Sequence, residues 1–230
     1  MFYYMLKYVL LGPLLRLLFR PRVEGLEHVP AQGAVIVAGN HLSFVDPFIL
    51  AVVLKRRITF LAKAEYFAAP GLRGWLTALV LRGAGQISVD RSGRAAGQAA
   101  LSEGQAVLAK GNLLAIYPEG TRSPDGRLYK GKVGVAVMAL AARVLVIPCA
   151  VVGTYQIWDR ARVLPRHPPV TIRFGEPLDF SRCARTARDE TVLRAVTDEI
   201  MSAVLRLSGQ EYVDRYAADV KTAQAPGRRG

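Results

Sequence analysis

From residue 34 onward, short apolar runs alternate with longer stretches in which apolar residues recur at helical spacing. Residues 34–38 (AVIVA), 58–62 (ITFLA), 86–89 (QISV), 113–117 (LLAIY), 144–152 (VLVIPCAVV) and 170–174 (VTIRF) carry little charge. Their apolarity is continuous rather than alternating, which predicts strands covered on both faces. Between them, residues 48–54, 72–81, 95–109, 133–142 and 190–207 read as helices. Gly111 is placed to stop the third of these, and Asp189-Glu190 suits the opening of the last. The alternation predicts a single α/β domain over 23–208, with one largely parallel or mixed sheet flanked by helices. No internal repeat is present. Residues 209–230, ending KTAQAPGRRG, read as a basic, disordered tail.

Residues 1–22 have a different pattern. MFYYMLKYVLLGPLLRLLF is apolar almost throughout, interrupted by Lys7 and Arg16, with Arg20 and Arg22 following. Gly12-Pro13 predicts a break, and each half is too short to cross a bilayer, which takes about 20 apolar residues. A secretory signal is disfavoured, because Lys7 lies inside the apolar run and no small-residue cleavage site follows. The segment reads as a pair of short helices lying in a membrane interface, with Tyr3, Tyr4 and Tyr8 at headgroup level. A single spanning helix and a helix packed on the domain's own core are the alternatives.

Charge sharpens that reading. The 230-residue chain carries 31 Lys+Arg against 18 Asp+Glu, a net +13, yet its mean hydropathy is +0.21. A basic chain wants an anionic partner; one that is also apolar leans towards a membrane surface. Aromatic residues are scarce beyond the N-terminal segment, which argues against base stacking and so against nucleic acid. Cys149 lies in an apolar run and Cys183 in a basic stretch. The pair suggests neither a disulfide framework nor a zinc site, and a cytosol-facing location is the default.

In sheets of this kind, sites form where strands end. Three predicted strand ends carry polar clusters: Asn40-His41-Leu42-Ser43-Phe44-Val45-Asp46-Pro47, then Asp90-Arg91, then Glu119-Gly120-Thr121-Arg122. Of His28, His41 and His167, only His41 directly follows a buried run and has a carboxylate five residues on. In one helix those two side chains would diverge by about 140°. They meet only if His41 lies in a loop and Asp46 opens the next helix, forming a dyad in which Asp46 holds one ring nitrogen and the other accepts a proton. No G-x-S-x-G elbow occurs, so the proton would come from a substrate. The competing reading is structural: Ser43-x-x-Asp46 resembles a capping box, and Asp46-Pro47 an N-cap with proline after it.

Pro118 and Gly120 predict a tight turn whose N–H groups and Arg122 could cradle a phosphate or an oxyanion. Lys63 and Arg91 are cations at similar strand ends. Gly126-x4-Gly131-Lys132 imitates a phosphate loop, but Val133 stands where a magnesium-binding hydroxyl belongs. No metal site is expected.

Taken in order, Asn40-His41-x4-Asp46-Pro47, Gly85-x-Ile87-x-Val89-Asp90-Arg91, Tyr117-Pro118-Glu119-Gly120-Thr121-Arg122 and Val146-Ile147-Pro148 resemble the four sequence blocks of the glycerolipid acyltransferases, in particular the 1-acylglycerol-3-phosphate acyltransferases. The likeness runs from about residue 22 to 180. It implies that His41 deprotonates an acceptor hydroxyl, that Asp46 orients it, and that the oxygen attacks the thioester of acyl-CoA or acyl-carrier protein with no covalent acyl-enzyme. It further implies that Asn40, Ser43, Lys63, Arg91, Glu119, Gly120, Thr121 and Arg122 serve substrate binding. No cofactor beyond the thioester co-substrate is expected. Lysophosphatidate is the implied acceptor, with another lysophospholipid or a glycolipid as alternatives. The cytoplasmic face of the cell membrane is the implied location. Two readings outside this class are a basic lipid-binding protein without catalysis and a hydrolase using water as acceptor.

Overall fold

A computed structural model describes residues 2–89, 96–157, 169–186 and 189–224. Among them, seven strands form one sheet in the order β1-β8-β7-β2-β5-β3-β4. These are β1 (Arg22–Glu24), β2 (Val35–Gly39), β3 (Ile58–Lys63), β4 (Gln86–Val89), β5 (Leu113–Ile116), β7 (Leu145–Val152) and β8 (Thr171–Phe174). Every neighbouring pair is parallel except β7–β8. The sheet is therefore mixed, as the pattern predicts. The three-residue edge strand β1 is missed by the sequence reading, because Arg22 and Glu24 leave only Val23 as an apolar signal.

The central strands explain the continuous apolarity. Along β2, Val35 and Val37 point into one core, and Ile36 and Ala38 into another. The same alternation holds in β5, where Leu113 and Ala115 face the first core and Leu114 the second. With side chains alternating between faces and both faces covered, every position must be apolar. The first core is closed by α2 (Leu11–Phe19), α3 (Asp46–Val53) and α5 (Gly71–Gly83). The second is closed by α6 (Ala96–Ala109), α7 (Gly134–Ala142) and α8 (Glu190–Ser208). Asp189 caps α8 by accepting the Thr191 N–H at 2.8 Å. The short α4 (Glu65–Ala68) follows β3.

At the N-terminus the expected break is absent. Residues Phe2–Phe19 form one helical run in which α1 (Phe2–Met5) leads through a wide π-turn (Leu6–Leu10) into α2. Pro13 lacks an N–H, and the wider turn accommodates that loss without ending the helix. Gly12 makes the turn fit: a Cβ there would lie 1.7 Å from the Lys7 carbonyl oxygen. The headgroup position expected for Tyr3 is also corrected. Tyr3 is buried, and its hydroxyl oxygen accepts the Ile58 N–H at 3.4 Å. Lys7 is buried as well and donates to the Leu54 carbonyl. Tyr4, Tyr8, Val9, Leu10, Leu14 and Leu17 remain exposed on the outer side. The helix thus packs one side on the domain and leaves an apolar side uncovered.

The disorder expected over 209–230 is corrected for the part that is described. Gly209 ends α8 in the left-handed conformation, φ 66°. The chain then forms β9 (Tyr212–Val213), which pairs in parallel with β6 (Leu128–Tyr129), and α9 (Ala217–Gln224). Tyr129 is fully buried against Ala217 and Val220. Two apolar residues of α9 under one tyrosine make a hydrophobic signal too small to stand out in a basic stretch. Residues 225–230 lie outside the described set.

Candidate active site

The first turn leaves β2 at Gly39 and enters α3 at Asp46. Asp46 opens α3, but its carboxylate reaches backwards instead of capping the helix. Oδ2 accepts the N–H groups of Leu42 and Ser43, each at 2.8 Å, and lies 2.9 Å from His41 Nδ1. Of the expected capping box only the carboxylate half forms: Asp46 Oδ2 accepts the Ser43 N–H, while α3 has Val45 at its N-cap and no side-chain cap bond. A carboxylate offers only acceptors, so His41 Nδ1 carries a proton, and in the neutral ring the lone pair then lies on Nε2. His41 retains some exposure, with 17% of its side chain accessible, whereas Asp46 has none.

Tyr117 fixes the other degree of freedom of the imidazole. Its ring stacks on His41 with centroids 4.1 Å apart and planes 9° from parallel, and Phe60 stacks behind it at 6.1 Å. Among the described residues the buried Tyr117 hydroxyl finds no hydrogen-bond partner, nor does Asp46 Oδ1. Burial pushes the Tyr117 phenol well above its ordinary range, and the neighbouring Asp46 and Cys149 push it further.

The second turn follows β5. Gly120 adopts φ 72°, and its N–H returns to the Tyr117 carbonyl at 2.9 Å. A side chain there would be strained and would press on the Lys132 methylenes at 3.2 Å. Lys132, Lys221 and the exposed Arg122 place positive charge around this turn. The turn is tied to the first one twice. The Ser123 N–H donates to the His41 carbonyl at 2.7 Å, and Glu119 Oε2 accepts the His41 N–H at 3.0 Å. Glu119 Oε1 accepts the Tyr129 N–H at 2.9 Å. Burial pushes the Glu119 carboxyl up to about 7; the two N–H donors and Lys221 oppose the rise, and Asp46 adds to it.

Several of the residues expected to bind substrate lie beneath the surface in this geometry. Asn40 is fully buried: its amide pairs with Val151 of β7, accepting the N–H at 2.8 Å and donating to the carbonyl at 3.0 Å. Glu119 is fully buried with both oxygens engaged, and Ser43 is buried too. All three face inward and shape the turns that carry His41 and Arg122. Gly120 and Arg122 are exposed and Thr121 is half-buried, in the loop that the Ser123 N–H ties to the His41 carbonyl. Lys63 is exposed at the carboxyl end of β3, on the same edge of the sheet. Arg91 lies outside the described residues. Neither Tyr117, which stands in the third sequence block, nor Lys132, which belongs to the incomplete phosphate loop, announces a role by residue type or spacing.

The chain belongs to the Acyltransferase family, whose model matches residues 20–152, a stretch that holds both the His-x4-Asp turn and the Glu-Gly-Thr-Arg turn tied to it. Among its relatives are 1-acyl-sn-glycerol-3-phosphate acyltransferases. That of Limnanthes douglasii is 32% identical over 159 residues, covering 69% of this chain and 54% of the plant protein. That of Borreliella burgdorferi is 30% identical over 179 residues, covering 78% and 69%. The chain spans about half the length of the plant relatives it matches. The crystal structure of the 1-acyl-sn-glycerophosphate acyltransferase PlsC from Thermotoga maritima superposes with a TM-score of 0.61 at 25% identity, covering 95% of this chain and 79% of that one.

Proposed function

We propose that this chain transfers a fatty acyl group from acyl-CoA or acyl-carrier protein to the free hydroxyl of lysophosphatidate, making phosphatidic acid. The observation that carries the mechanism is the His41 Nδ1–Asp46 Oδ2 contact of 2.9 Å, with Asp46 held by two further N–H donors. Nε2 takes the acceptor's proton as its oxygen attacks the thioester carbonyl. The new C–O bond forms, the C–S bond breaks, and the proton passes from His41 to the leaving sulfur. Asp46 steadies the imidazolium in between. No protein nucleophile is needed, so no acyl-enzyme forms. Arg122, Lys132 and Lys63 supply charge for the acceptor phosphate, and N–H groups of the 119–122 turn stabilise the oxyanion. The acceptor assignment rests on the names of the relatives.

The uncovered apolar side of Phe2–Phe19, together with exposed Leu72 and Trp75 on α5, suits docking at a membrane interface on the cytoplasmic side. Replacing Leu10 and Leu17 by aspartate should abolish flotation with anionic vesicles; unchanged flotation would refute this role.

The deciding assay follows thiol release and lipid product with acyl-CoA or acyl-carrier protein, with and without lysophosphatidate. Release that requires the acceptor, together with phosphatidic acid formation, is the expected result. Release that ignores the acceptor would make the protein a hydrolase and overturn the proposal.

A further inference from the structure

Gln210 and Lys221 lie far outside the matched region 20–152, yet both reach the two turns of the site. Gln210 follows the glycine that ends α8. Its Oε1 accepts from Asn40 Nδ2 at 2.7 Å, and its Nε2 donates to the Gly126 carbonyl at 2.6 Å. One side chain therefore joins the residue preceding His41 to the loop that follows Arg122. Beyond it, β9 pairs with β6, and the Leu128 N–H donates to the Glu211 carbonyl at 2.9 Å. Lys130–Asp214 at 2.9 Å and Arg127–Glu211 at 3.2 Å add ion pairs along the same seam. Then α9 carries Lys221 over the second turn, where its Nζ donates to Thr121 Oγ1 at 3.0 Å and to the Arg122 carbonyl.

We propose that the segment 210–221 is a strap that holds both turns of the site, with Lys221 a positioning residue for acceptor binding and Gln210 a positioning residue for the His41 turn. The proposal rests on the acyltransferase reading given above. Its physical basis is the geometry of a helix laid across a loop. The 119–122 turn is held by its own Gly120–Tyr117 bond and by Glu119 beneath it, but its outer rim, Thr121 and Arg122, is fastened by Lys221 from above. A turn that holds the acceptor phosphate through a guanidinium on its rim loses affinity when that rim is loose, because ordering it must then be done by the ligand. Lys221 also lowers the proton affinity of Glu119, so the strap acts on the buried carboxylate as well as on the rim.

The two residues act on different quantities. Lys221→Met keeps the methylene stem over the turn while removing the donor and the charge. It should raise the KM for lysophosphatidate about 10-fold, leave the KM for the thioester unchanged and reduce kcat by less than about 3-fold. Lys221→Arg should restore most of the acceptor affinity. Gln210→Met frees Asn40 from the loop and should lower kcat by about 10-fold with little change in either KM. Removing 209–230 outright is a poor test, since it uncovers Tyr129 and threatens the fold.

The experiment pairs those kinetics with amide hydrogen exchange on the full chain without substrate. Faster exchange at the Ser123 amide, which bonds the His41 carbonyl, and at Thr121 in the Lys221→Met protein, with the acceptor KM raised, supports the strap. Wild-type exchange and wild-type KM in that variant overturn it. Equal rises in both substrate KM values, with a lowered Tm, also overturn it, because they mark general destabilisation. Should wild type transfer no acyl group to lysophosphatidate, the acceptor assignment falls and exchange at Ser123 alone decides the strap: faster exchange in the variant supports it, unchanged exchange refutes it.

Discussion

Two buried carboxylates sit side by side in this protein and hold different things. Asp46 and Glu119 are both closed to solvent, and both accept backbone N–H groups. Asp46 gives one oxygen to a side chain, the imidazole that the proposed mechanism makes the base, His41. Glu119 gives its two oxygens to main chain only, one from each side of the site. The difference predicts that Asp46 governs rate and Glu119 governs the integrity of the frame. The two acidic positions are thus not interchangeable supports, although their sequence blocks present both simply as carboxylates beside polar neighbours.

The largest expected effect separates the two. His41→Ala should lower kcat by about 10⁴-fold while leaving the thermal midpoint near wild type, because the side chain is partly exposed and bonds only Asp46 through its ring. Asp46→Asn should cost about 10³-fold, since the amide can still accept from Leu42 and Ser43 but no longer enforces a protonated Nδ1. Both are read from steady-state rates on folded protein, checked by circular dichroism. An Asp46→Asn enzyme with near-normal kcat would remove the distinction between the two carboxylates.

Glu119 sharpens the comparison through pH. Its carboxyl, ordinarily near 4.5, is raised to about 7 in the folded chain. The folded state therefore binds this proton more tightly than the unfolded state does. The contribution is fully present below pH 4.5 and is lost as pH rises through about 7, on the order of 3 kcal/mol in all. Glu119→Gln should flatten this part of the stability profile. It should also cost about 1–3 kcal/mol at pH 5, because its NH₂ group must face either the His41 or the Tyr129 N–H. Denaturant midpoints for both proteins from pH 4.5 to 8 measure the two effects together. Parallel profiles would show that Glu119 does not titrate in this window.

The domain's sheet and the dyad were legible for one reason: each leaves a periodic or fixed-spacing mark. Strand runs covered on both faces must be apolar at every position, as in Val35–Gly39, and His41 with Asp46 stands next to one of them. What was illegible depends on polar groups from distant parts of the chain. Gln210 meets Asn40 across 170 residues and Lys221 meets Thr121 across 100, and neither residue type nor spacing announces such a contact. The N-terminal helix failed in another way. The sequence correctly marks Pro13 as a helix breaker, but a π-turn beside Gly12 absorbs the fault, and packing of Leu15 and Phe19 on the core favours the continuous form. Inward-facing Asn40, Ser43 and Glu119 carry the residue types of a binding site; only the burial of their side chains separates a frame from a contact.

The smallest effect tests whether the frame extends to an aromatic ring. Tyr117 offers His41 a flat face and hides an unpaired hydroxyl behind it. Those two properties come apart in substitution. Tyr117→Phe keeps the stack and removes a buried group that makes no bond, so kcat should stay within about 2-fold and stability should hold or rise by about 1 kcal/mol. Tyr117→Leu keeps an apolar filler but loses the face, and the imidazole gains freedom to tilt away from the acceptor; kcat should fall about 10-fold with unchanged KM values. A Phe variant as slow as the Leu variant would mean that the hydroxyl, not the ring, serves the dyad, and would make Tyr117 a polar partner of Asp46 instead of a packing surface for His41.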